Sequence, residues 1–319
     1  MSVNLAQGEQ LPGIREASLF KALKKEEKKQ ARKNWCSGML YVLPSIALFA
    51  IFVIYPFIRT IIQSFFLSDN RGFLTLFVGL QNYIDLFQDP VYLQSLWQTI
   101  IYTLITVPLT IIIALFLAVL ASSNVKGAGI FNTIFSSTMG ISVAAGSVFW
   151  NFLFHPTVGL LNKIINAFGG SNVGWLTDPK IALVSVSLVS VWMNIGFSYL
   201  VLMGGMKNID KSYYESVEIV GGGFFYRLRK VTIPLISPSL FFVFVTSIIG
   251  AFQSFGVIDM LTQGGPMNGT NLLVYGLYEE AFVNYQYGSA TAQGVVLFLI
   301  IFVISMLQTK LTERWVTYQ

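Results

Sequence analysis

Charged side chains are scarce in this sequence. They make up 11% of its 319 residues, whereas hydrophobic residues make up 54%. A soluble domain is nearer one quarter charged. A chain with so little charge is not expected to fold as a water-soluble domain, and we interpret it as a protein that crosses a membrane several times.

Cysteine and histidine are almost absent, since Cys36 and His155 are the single examples of each. One cysteine excludes a disulfide within the chain. One histidine excludes a two-histidine metal site and makes a Ser–His–Asp triad hard to build. The run Gly221–Gly223 is not followed by Gly-Lys-Ser/Thr, so it is not a P-loop. We therefore predict no catalytic residue, no metal site and no cofactor on this chain, which is not an enzyme by itself.

Long apolar runs are abundant, and six of them exceed the roughly 20 residues that a helix needs to cross the hydrocarbon core. The predicted spans are residues 38–66, 95–122, 128–154, 181–205, 236–261 and 289–311. The predicted fold class is therefore all-α and polytopic. Its two parts are a basic N-terminal segment at 1–37 and a six-helix membrane domain at 38–319, which includes a polar loop at 206–235.

Basic residues are distributed unevenly between the loops. Eight lie between Arg15 and Lys33, Lys126 lies in the 122–128 turn, five lie in the 206–235 loop, and Lys310 and Arg314 lie in the tail. These sixteen of the 20 basic residues fall on one side of the predicted membrane. The positive-inside rule places that side, with both termini, in the cytoplasm. We interpret the charged run at 21–33 as a solvated helix that lies on anionic headgroups.

The 206–235 loop is polar, although it lies between two long apolar spans. Ser212 and Glu215 have the spacing of a capping box, with Asp210 as a competing cap, so a short helix is predicted to begin there. Gly221–Gly223 is predicted to end this helix, because glycine disfavours helix and permits a turn.

A second short helix is predicted from Phe224 to about Val231, ending near Pro234. Neither short helix is long enough to cross a bilayer. The pair is therefore predicted to form a docking surface for a soluble partner.

This loop resembles the "EAA" loop of permease subunits of binding-protein-dependent ABC importers. Glu215 matches the glutamate, Ser216 and Val217 stand in place of the two alanines, and Gly221 and Pro234 match the later glycine and proline. In that family the loop fits a groove of the ATPase subunit and transmits its opening and closing. The resemblance therefore implies that these five residues couple the chain to an ATPase.

Three further stretches resemble the carbohydrate permeases of the same family. They are residues 79–92 before the second span, Trp150 to Asn162, and Leu261 to Thr270. Details at Phe255–Asp259 and Ser289–Gln293 look most like the first permease of glycerol-3-phosphate importers, a branch that also includes many oligosaccharide permeases. Together with the Glu215 loop, these stretches occur in the same order as in the family and cover most of residues 38–319.

The resemblance implies a type I importer fold in the bacterial cytoplasmic membrane. The implied partners are a second, similar permease, two ATPase subunits that hold ATP and Mg, an extracytoplasmic solute-binding protein, and membrane lipid, without nucleic acid. The implied substrate is a carbohydrate, such as an oligosaccharide or a related polyol compound. Glycerol-3-phosphate is the alternative, although no span supplies the basic patch that a phosphate would favour.

Amide and aromatic side chains inside the spans suit a sugar, which has polar edges and apolar faces. The candidate substrate path consists of Trp150, Asn151, Trp192, Asn194, Tyr199, Gln253 and Asp259. The alternatives are that the aromatic residues form interface belts and that the amides bridge helices. Between the fifth and sixth spans, Gly264, Gly265 and Pro266 form either an ordinary turn or a surface that faces the binding protein.

Other functional classes receive less support from the sequence. An ion- or proton-coupled carrier usually needs an ionisable relay inside the membrane, and the spans lack a convincing one. No stretch looks like the selectivity filter of a channel. A membrane enzyme acting on a lipid-linked sugar would need surface acidic residues with metal-ligand spacing, to which Asp85 and Asp89 come nearest.

Overall fold

The computed structural model describes residues 12–122 and 128–312, which are mostly helical. The all-α class is therefore confirmed. Four helices are long and apolar enough to cross a membrane, and two bent pairs of helices raise the number to six. We number them spans 1 to 6 in chain order: Leu23–Gln63, Pro90–Ser122, Asn132–Gly140 with Val143–Leu153, Ala182–Lys207, Phe224–Leu235 with Ser237–Phe252, and Tyr287–Lys310.

Some sequence predictions fall outside the described residues. They are Lys126 in the turn before span 3, the first part of the basic segment, and the tail that contains Arg314. The chain divides into two compact units, Met1–Arg59 and Thr60–Gln319.

The described part of the first unit is one long helical run. It consists of the α-helix Pro12–Phe49, a π-helical turn at Ala50–Ile54 and the helix Tyr55–Gln63, which extends into the second unit. The backbone N–H of Tyr55 donates to the carbonyl of Ala50, five residues back, and Pro56 follows directly. Because a proline ring clashes with the carbonyl four residues before it, a wider turn at this point accommodates Pro56 without breaking the helix.

The loop before span 2 contains an element that the sequence did not predict. Strand β1 (Phe66–Ser68) pairs in antiparallel orientation with strand β2 (Leu74–Phe77). Asp69 fixes the connecting turn, since its Oδ1 accepts hydrogen bonds from the N–H groups of Arg71 and Phe73 at 3.0 and 2.8 Å. A short helix follows at Gln81–Gln88.

Spans 2 and 4 form the centre of the second unit. Span 2 begins at Pro90, five residues before its predicted start, because proline suits the first turn of a helix. Ala114, Ala118 and Ala121 recur at helical spacing and are almost fully buried in one cluster with Tyr199 and Leu202 of span 4. Small residues at this spacing let two helices approach closely inside a membrane.

Span 3 is not the continuous helix predicted for 128–154. Its first helix is Ala128–Ser137, a 3-10 turn occupies Thr138–Gly140, and a second helix, Val143–Leu153, starts at a bend of 107°. Ser142 caps the second helix, since its Oγ accepts a hydrogen bond from the Ala145 N–H at 3.2 Å. A serine cap supplies a start signal inside an apolar run, which hydropathy alone does not show.

Span 5 is also divided. The short helix Phe224–Arg227, a π-helical turn at Leu228–Thr232 and the helix Ile233–Leu235 lead into Ser237–Phe252 through a bend of 69°. The π-helical turn again ends two residues before a proline, here Pro234, as the turn at 50–54 does before Pro56. The run predicted as continuous at 236–261 is interrupted at 253–255, and the helix Gly256–Leu261 follows.

The remaining loops also contain short helices. The loop at 155–180 contains the helix Leu160–Ala167. Asn162 ties this loop together: its Nδ2 donates to the carbonyls of Pro156 and Val173, and its Oδ1 accepts from the Val173 N–H and the Trp175 Nε1–H. The loop before span 6 contains the helix Leu273–Tyr278 and a π-helical turn at Glu279–Val283, and the last helix of the described residues is Tyr287–Thr312.

Candidate translocation cleft and coupling loop

The breaks in spans 3 and 5 meet at one cleft. This cavity of about 550 Å³ is lined by the 3-10 turn of span 3, by the interruption of span 5 and by spans 2 and 4. Non-helical backbone inside a membrane is tolerated where it is buried in protein or lines a water-filled cavity. The two breaks satisfy this condition together, which marks the cleft as a candidate path for a polar solute.

The chemistry of the cleft is polar but uncharged. None of the described residues that line it is charged, and half of them carry a hydroxyl or an amide group. The polar lining residues are Tyr102, Thr106, Thr110, Thr138, Ser190, Asn194, Ser198, Thr246, Ser247, Gln253 and Ser254. Hydroxyl and amide groups both donate and accept hydrogen bonds, so such a wall suits a ligand rich in hydroxyl groups.

Two glycines bring span 3 against span 4. A Cβ at Gly196 of span 4 would overlap Thr138 Oγ1 and lie 2.9 Å from the carbonyl oxygen of Phe135. A Cβ at Gly146 of span 3 would overlap the Met193 side chain. The break in span 3 is therefore held where only a hydrogen atom fits at residue 196.

Two of the predicted substrate-path residues line the cleft. Asn194 is exposed, and its Nδ2 donates to the Ser190 carbonyl of its own helix at 2.7 Å. Gln253 is exposed at the interruption of span 5. The structure thus brings an amide from span 4 and an amide from span 5 to the same cavity.

The other predicted residues lie elsewhere. Trp150 and Trp192 pack together with ring centroids 5.8 Å apart, outside the cleft lining. Tyr199 is fully buried and donates a hydrogen bond to Asn132 Oδ1. Asn151 is exposed outside the lining, and Asp259 lies on the helix beyond the break.

Sequence reasoning missed most of the hydroxyl groups of the cleft. Span 2 carries buried hydroxyls at Thr99, Thr103, Thr106 and Thr110, which recur every three or four residues along one helix face. This periodic stripe inside an apolar run is the signal that could have identified the polar wall.

The first short helix of the 206–235 loop is Lys211–Ile219. Its N-cap is Asp210, whose Oδ1 accepts a hydrogen bond from the Ser212 N–H at 2.8 Å. The alternative capping box of Ser212 and Glu215 is therefore wrong, because Ser212 already lies inside the helix and its carbonyl accepts from Ser216 Oγ. The hydrogen bond from the Ser212 backbone holds the pKa of the Asp210 carboxyl below its usual range.

We expect the Asp210 cap to be ionised at neutral pH. The stabilisation that the ionised cap gives to the helix is present above the ordinary carboxyl pKa and is lost as the pH falls through the lowered pKa. Asp210→Ala should increase hydrogen exchange of the amides of residues 211–214 by about tenfold, because the helix start loses its acceptor. Asp210→Asn keeps an acceptor and should exchange much as wild type does. Equal exchange in all three proteins would show that Asp210 is not needed as a cap.

The helix ends in a turn that requires glycine. Gly221 has φ of +72°, its N–H donates to the Glu218 carbonyl at 3.0 Å, and the Gly222 N–H donates to the Val217 carbonyl at 2.9 Å. These two bonds form a Schellman motif, in which a left-handed residue satisfies the last carbonyls of the helix. The predicted end of the helix near Gly221–Gly223 is confirmed.

The tip of the loop is apolar and exposed. Ile219, Val220 and Phe225 are 86%, 75% and 81% exposed and flank the glycine turn. Val217, which the family resemblance assigned to coupling, is buried within the loop. Sequence reasoning missed the tip, although apolar residues on both sides of three glycines in a charged loop were a usable signal.

The second short helix is joined to the first by Arg227. Its guanidinium forms an ion pair with Glu218 at 3.2 Å and lies 5.8 Å from the centre of the Tyr214 ring. Glu215 lines a groove of about 960 Å³ between this loop and the ends of spans 2 and 4. Pro234 was predicted to end the second helix, but it lies inside the last helical piece, which ends at Leu235.

The turn at Gly264–Pro266 is tightly packed. Gly264 is buried with φ of +75°, and a Cβ there would lie 2.9 Å from Tyr275. Thr270 Oγ1 donates to the Gly265 carbonyl at 2.6 Å. Met267, which follows the turn, is 83% exposed. In the described part of the chain, no three His, Cys, Asp or Glu side chains are grouped so as to hold a metal ion.

Comparison with known proteins agrees with these features. Residues 88–317 match the family described as "Binding-protein-dependent transport system inner membrane component". The "sn-glycerol-3-phosphate transport system permease protein UgpA" of Yersinia enterocolitica is 34% identical over 287 residues, which is 89% of this chain and 97% of the relative. The protein of the same name from Escherichia coli O157:H7 is 33% identical over 291 residues, 90% of this chain and 97% of the relative.

The fold has solved counterparts. A chain of a bacterial ABC transporter "involved in the import of the acidic polysaccharide alginate" aligns with a TM-score of 0.78 and 21% identity, covering 91% of this chain and 99% of that one. A chain of an alginate ABC transporter "in complex with alginate pentasaccharide-bound periplasmic protein" aligns with a TM-score of 0.76 and 20% identity, covering 90% and 96%. These likenesses show the type I importer fold, and the match over residues 88–317 shows that the chain belongs to the inner-membrane permease components of binding-protein-dependent transport systems.

Proposed function

We propose that this permease carries an uncharged, hydroxyl-rich solute, a carbohydrate such as an oligosaccharide or a polyol, through the cleft between its broken spans. The observation that carries the proposal is the lining of the cleft, in which hydroxyl and amide groups alternate with apolar side chains and none of the described side chains is charged. The path would serve import across a bacterial inner membrane.

The cleft offers both kinds of contact that a sugar needs. Gln253 and Asn194 supply amides that can bind ring hydroxyls from two sides. Phe197 of span 4 and Phe255 of span 5 line the same cavity, and the apolar face of a sugar ring can pack against their aromatic rings. Both amides are exposed in the cleft, Asn194 on span 4 and Gln253 at the interruption of span 5, so a solute in the cleft can reach them.

The names of the relatives favour a second candidate, sn-glycerol 3-phosphate. A phosphate group taken into a water-poor cavity needs a cation or several donors to replace its hydration. No described lining residue supplies a cation. If the solute carries a phosphate, its charge must be recognised by another subunit.

Family membership implies a second permease, ATPase subunits and a substrate-binding protein. In our proposal, two ATPase subunits bind on the cytoplasmic side, which also holds both termini. The loop at 206–235 is the coupling element: its exposed tip, with Glu215 beside it, enters the ATPase, while Ser216, Gly221 and Pro234 set its shape. The turn at Gly264–Pro266 shapes the outer surface near the binding protein, with Met267 as its exposed contact.

The test is transport by the complete complex reconstituted in liposomes, with its binding protein. Maltotriose and sn-glycerol 3-phosphate are the probes, and uptake and stimulated ATP hydrolysis are measured for each. We expect the uncharged oligosaccharide to be taken up, and we expect Gln253→Leu or Asn194→Leu to lower its uptake about tenfold through the loss of hydrogen bonds.

Asn151→Leu is the matched control, because it removes an exposed amide outside the cleft lining. Uptake of sn-glycerol 3-phosphate alone would overturn the substrate class and leave the importer assignment intact. Uptake that is insensitive to both cleft variants would place the path elsewhere.

A further inference from the structure

We infer that Tyr102 is a positioning residue for the substrate path, acting through the interruption of span 5. The inference rests on the proposed function of the cleft and adds the element that holds its shape. Tyr102 lies on span 2 and is 2% exposed. Its ring packs in a buried hydrophobic cluster, and its hydroxyl contacts Ser254 in the non-helical interruption of span 5.

The Tyr102 hydroxyl joins three spans. It donates to Ser190 Oγ of span 4 at 2.7 Å and lies 3.0 Å from Ser254 Oγ at the interruption of span 5. One hydroxyl can donate once and accept as well, so both contacts can be satisfied together. Ser190 is almost fully buried, so the Ser190 end of this network lies inside the protein, while Ser254 is partly buried at the cleft.

The hydrogen bond to Tyr102 fixes the side chain of Ser254, which lies in the interruption of span 5. Ser254 follows Gln253 in the non-helical stretch, where the regular backbone hydrogen bonds of the helix end. The Ser254 side-chain contact therefore sets where this stretch sits relative to spans 2 and 4. Because Gln253 is its direct neighbour, the position of the Gln253 amide in the cleft depends on Tyr102.

The test exploits the fact that the chain has a single native cysteine, which can be replaced so that an introduced thiol is the only one on this subunit. In a Cys36→Ser background, Gln253→Cys provides a thiol at the break, and its rate of modification by a small methanethiosulfonate reagent is measured in the assembled complex. We expect Tyr102→Phe, which keeps the ring and removes the hydroxyl, to raise this rate about tenfold. Ser254→Ala should also raise the modification rate, and the rate in the double variant should be no higher than in either single variant.

The chain supplies two controls. Tyr92 lies on the same helix and is 4% exposed, and its hydroxyl has no hydrogen-bond partner among the described residues, so Tyr92→Phe should leave the rate unchanged. A thiol at 194, introduced by Asn194→Cys on the intact helix across the cleft, should react at the same rate with or without Tyr102→Phe. In otherwise native complexes, Tyr102→Phe should raise the KM for maltotriose.

An unchanged labelling rate at residue 253 in Tyr102→Phe would overturn the inference. An equal increase at residue 194 would overturn it too, because it would show a general loosening of the core. The labelling rate needs no substrate. If the native complex does not transport maltotriose, the proposed substrate class fails, while the labelling result still decides the role of Tyr102.

Discussion

Gly221→Pro should abolish the stimulation of ATP hydrolysis by the substrate-loaded binding protein. Gly221 has φ of +72°, whereas proline is fixed near −65°. The substitution also removes the N–H that donates to the Glu218 carbonyl at 3.0 Å. The two effects together cost about 3 kcal/mol or more, enough to unfold a short exposed helix end. The apolar tip formed by Ile219, Val220 and Phe225 would then no longer be presented as a unit.

Gly223→Ala is the matched control for this prediction. Gly223 lies two residues further along the same loop with φ of −71°, and a Cβ there would meet no atom within 4 Å. We expect near-normal complex assembly and stimulation. The measurements are ATPase subunit retention on purification and stimulated ATP hydrolysis in liposomes. Normal stimulation by Gly221→Pro would show that the turn geometry plays no part in coupling.

Gly196→Val should reduce transport at least tenfold while leaving the chain inserted in the membrane. The new side chain would overlap Thr138 Oγ1 and crowd the Phe135 carbonyl oxygen and the Met139 N–H, at 2.9 and 3.0 Å from its Cβ. Two of these neighbours are backbone atoms that cannot rotate away. The break in span 3 must therefore shift, at a typical overpacking cost of about 1–3 kcal/mol. Since that break forms one wall of the cleft, the path changes shape.

Gly204→Val separates this effect from the general cost of a β-branched residue in span 4. Gly204 lies on the same helix, is exposed, and has no atom within 4 Å of a Cβ position. Uptake of maltotriose, normalised to the amount of assembled complex, is the measurement. If both variants transport equally, or if both fail equally, the contact between Gly196 and Thr138 does not shape the path.

Hydropathy predicted that spans exist but not where they break. The interruptions at 138–142 and 253–255 lie inside apolar runs. A serine cap and close contacts with span 4 accompany the first, and a hydrogen bond between Tyr102 of span 2 and Ser254 accompanies the second. None of these features changes the average hydropathy of a window. For the same reason, Asn194 and Gln253 could be proposed as path residues from their amide chemistry, while the hydroxyl groups that complete the cleft could not be assigned before the breaks were known.

Local signals were decisive where the backbone itself is constrained. The glycine run predicted the end of the first loop helix, because a left-handed residue is required there. The choice between Asp210 and Ser212 as the cap could not be made from spacing, since both satisfy it. The buried position of Val217 and the exposure of Ile219 depend on how the two loop helices fold onto each other, which one sequence does not specify.

The helix Ser237–Phe252 ends at a bend on one side and at the interruption of the cleft on the other. Its 16 residues correspond to a helix about 24 Å long, and no other element lies in sequence between the 206–235 loop and Gln253. A rotation of the helix by about 5° about one end moves the other end by about 2 Å, a displacement large enough to make or break a hydrogen bond. In the proposed coupling, a movement of the loop at 224–235 would therefore reach the Gln253 amide through this one helix.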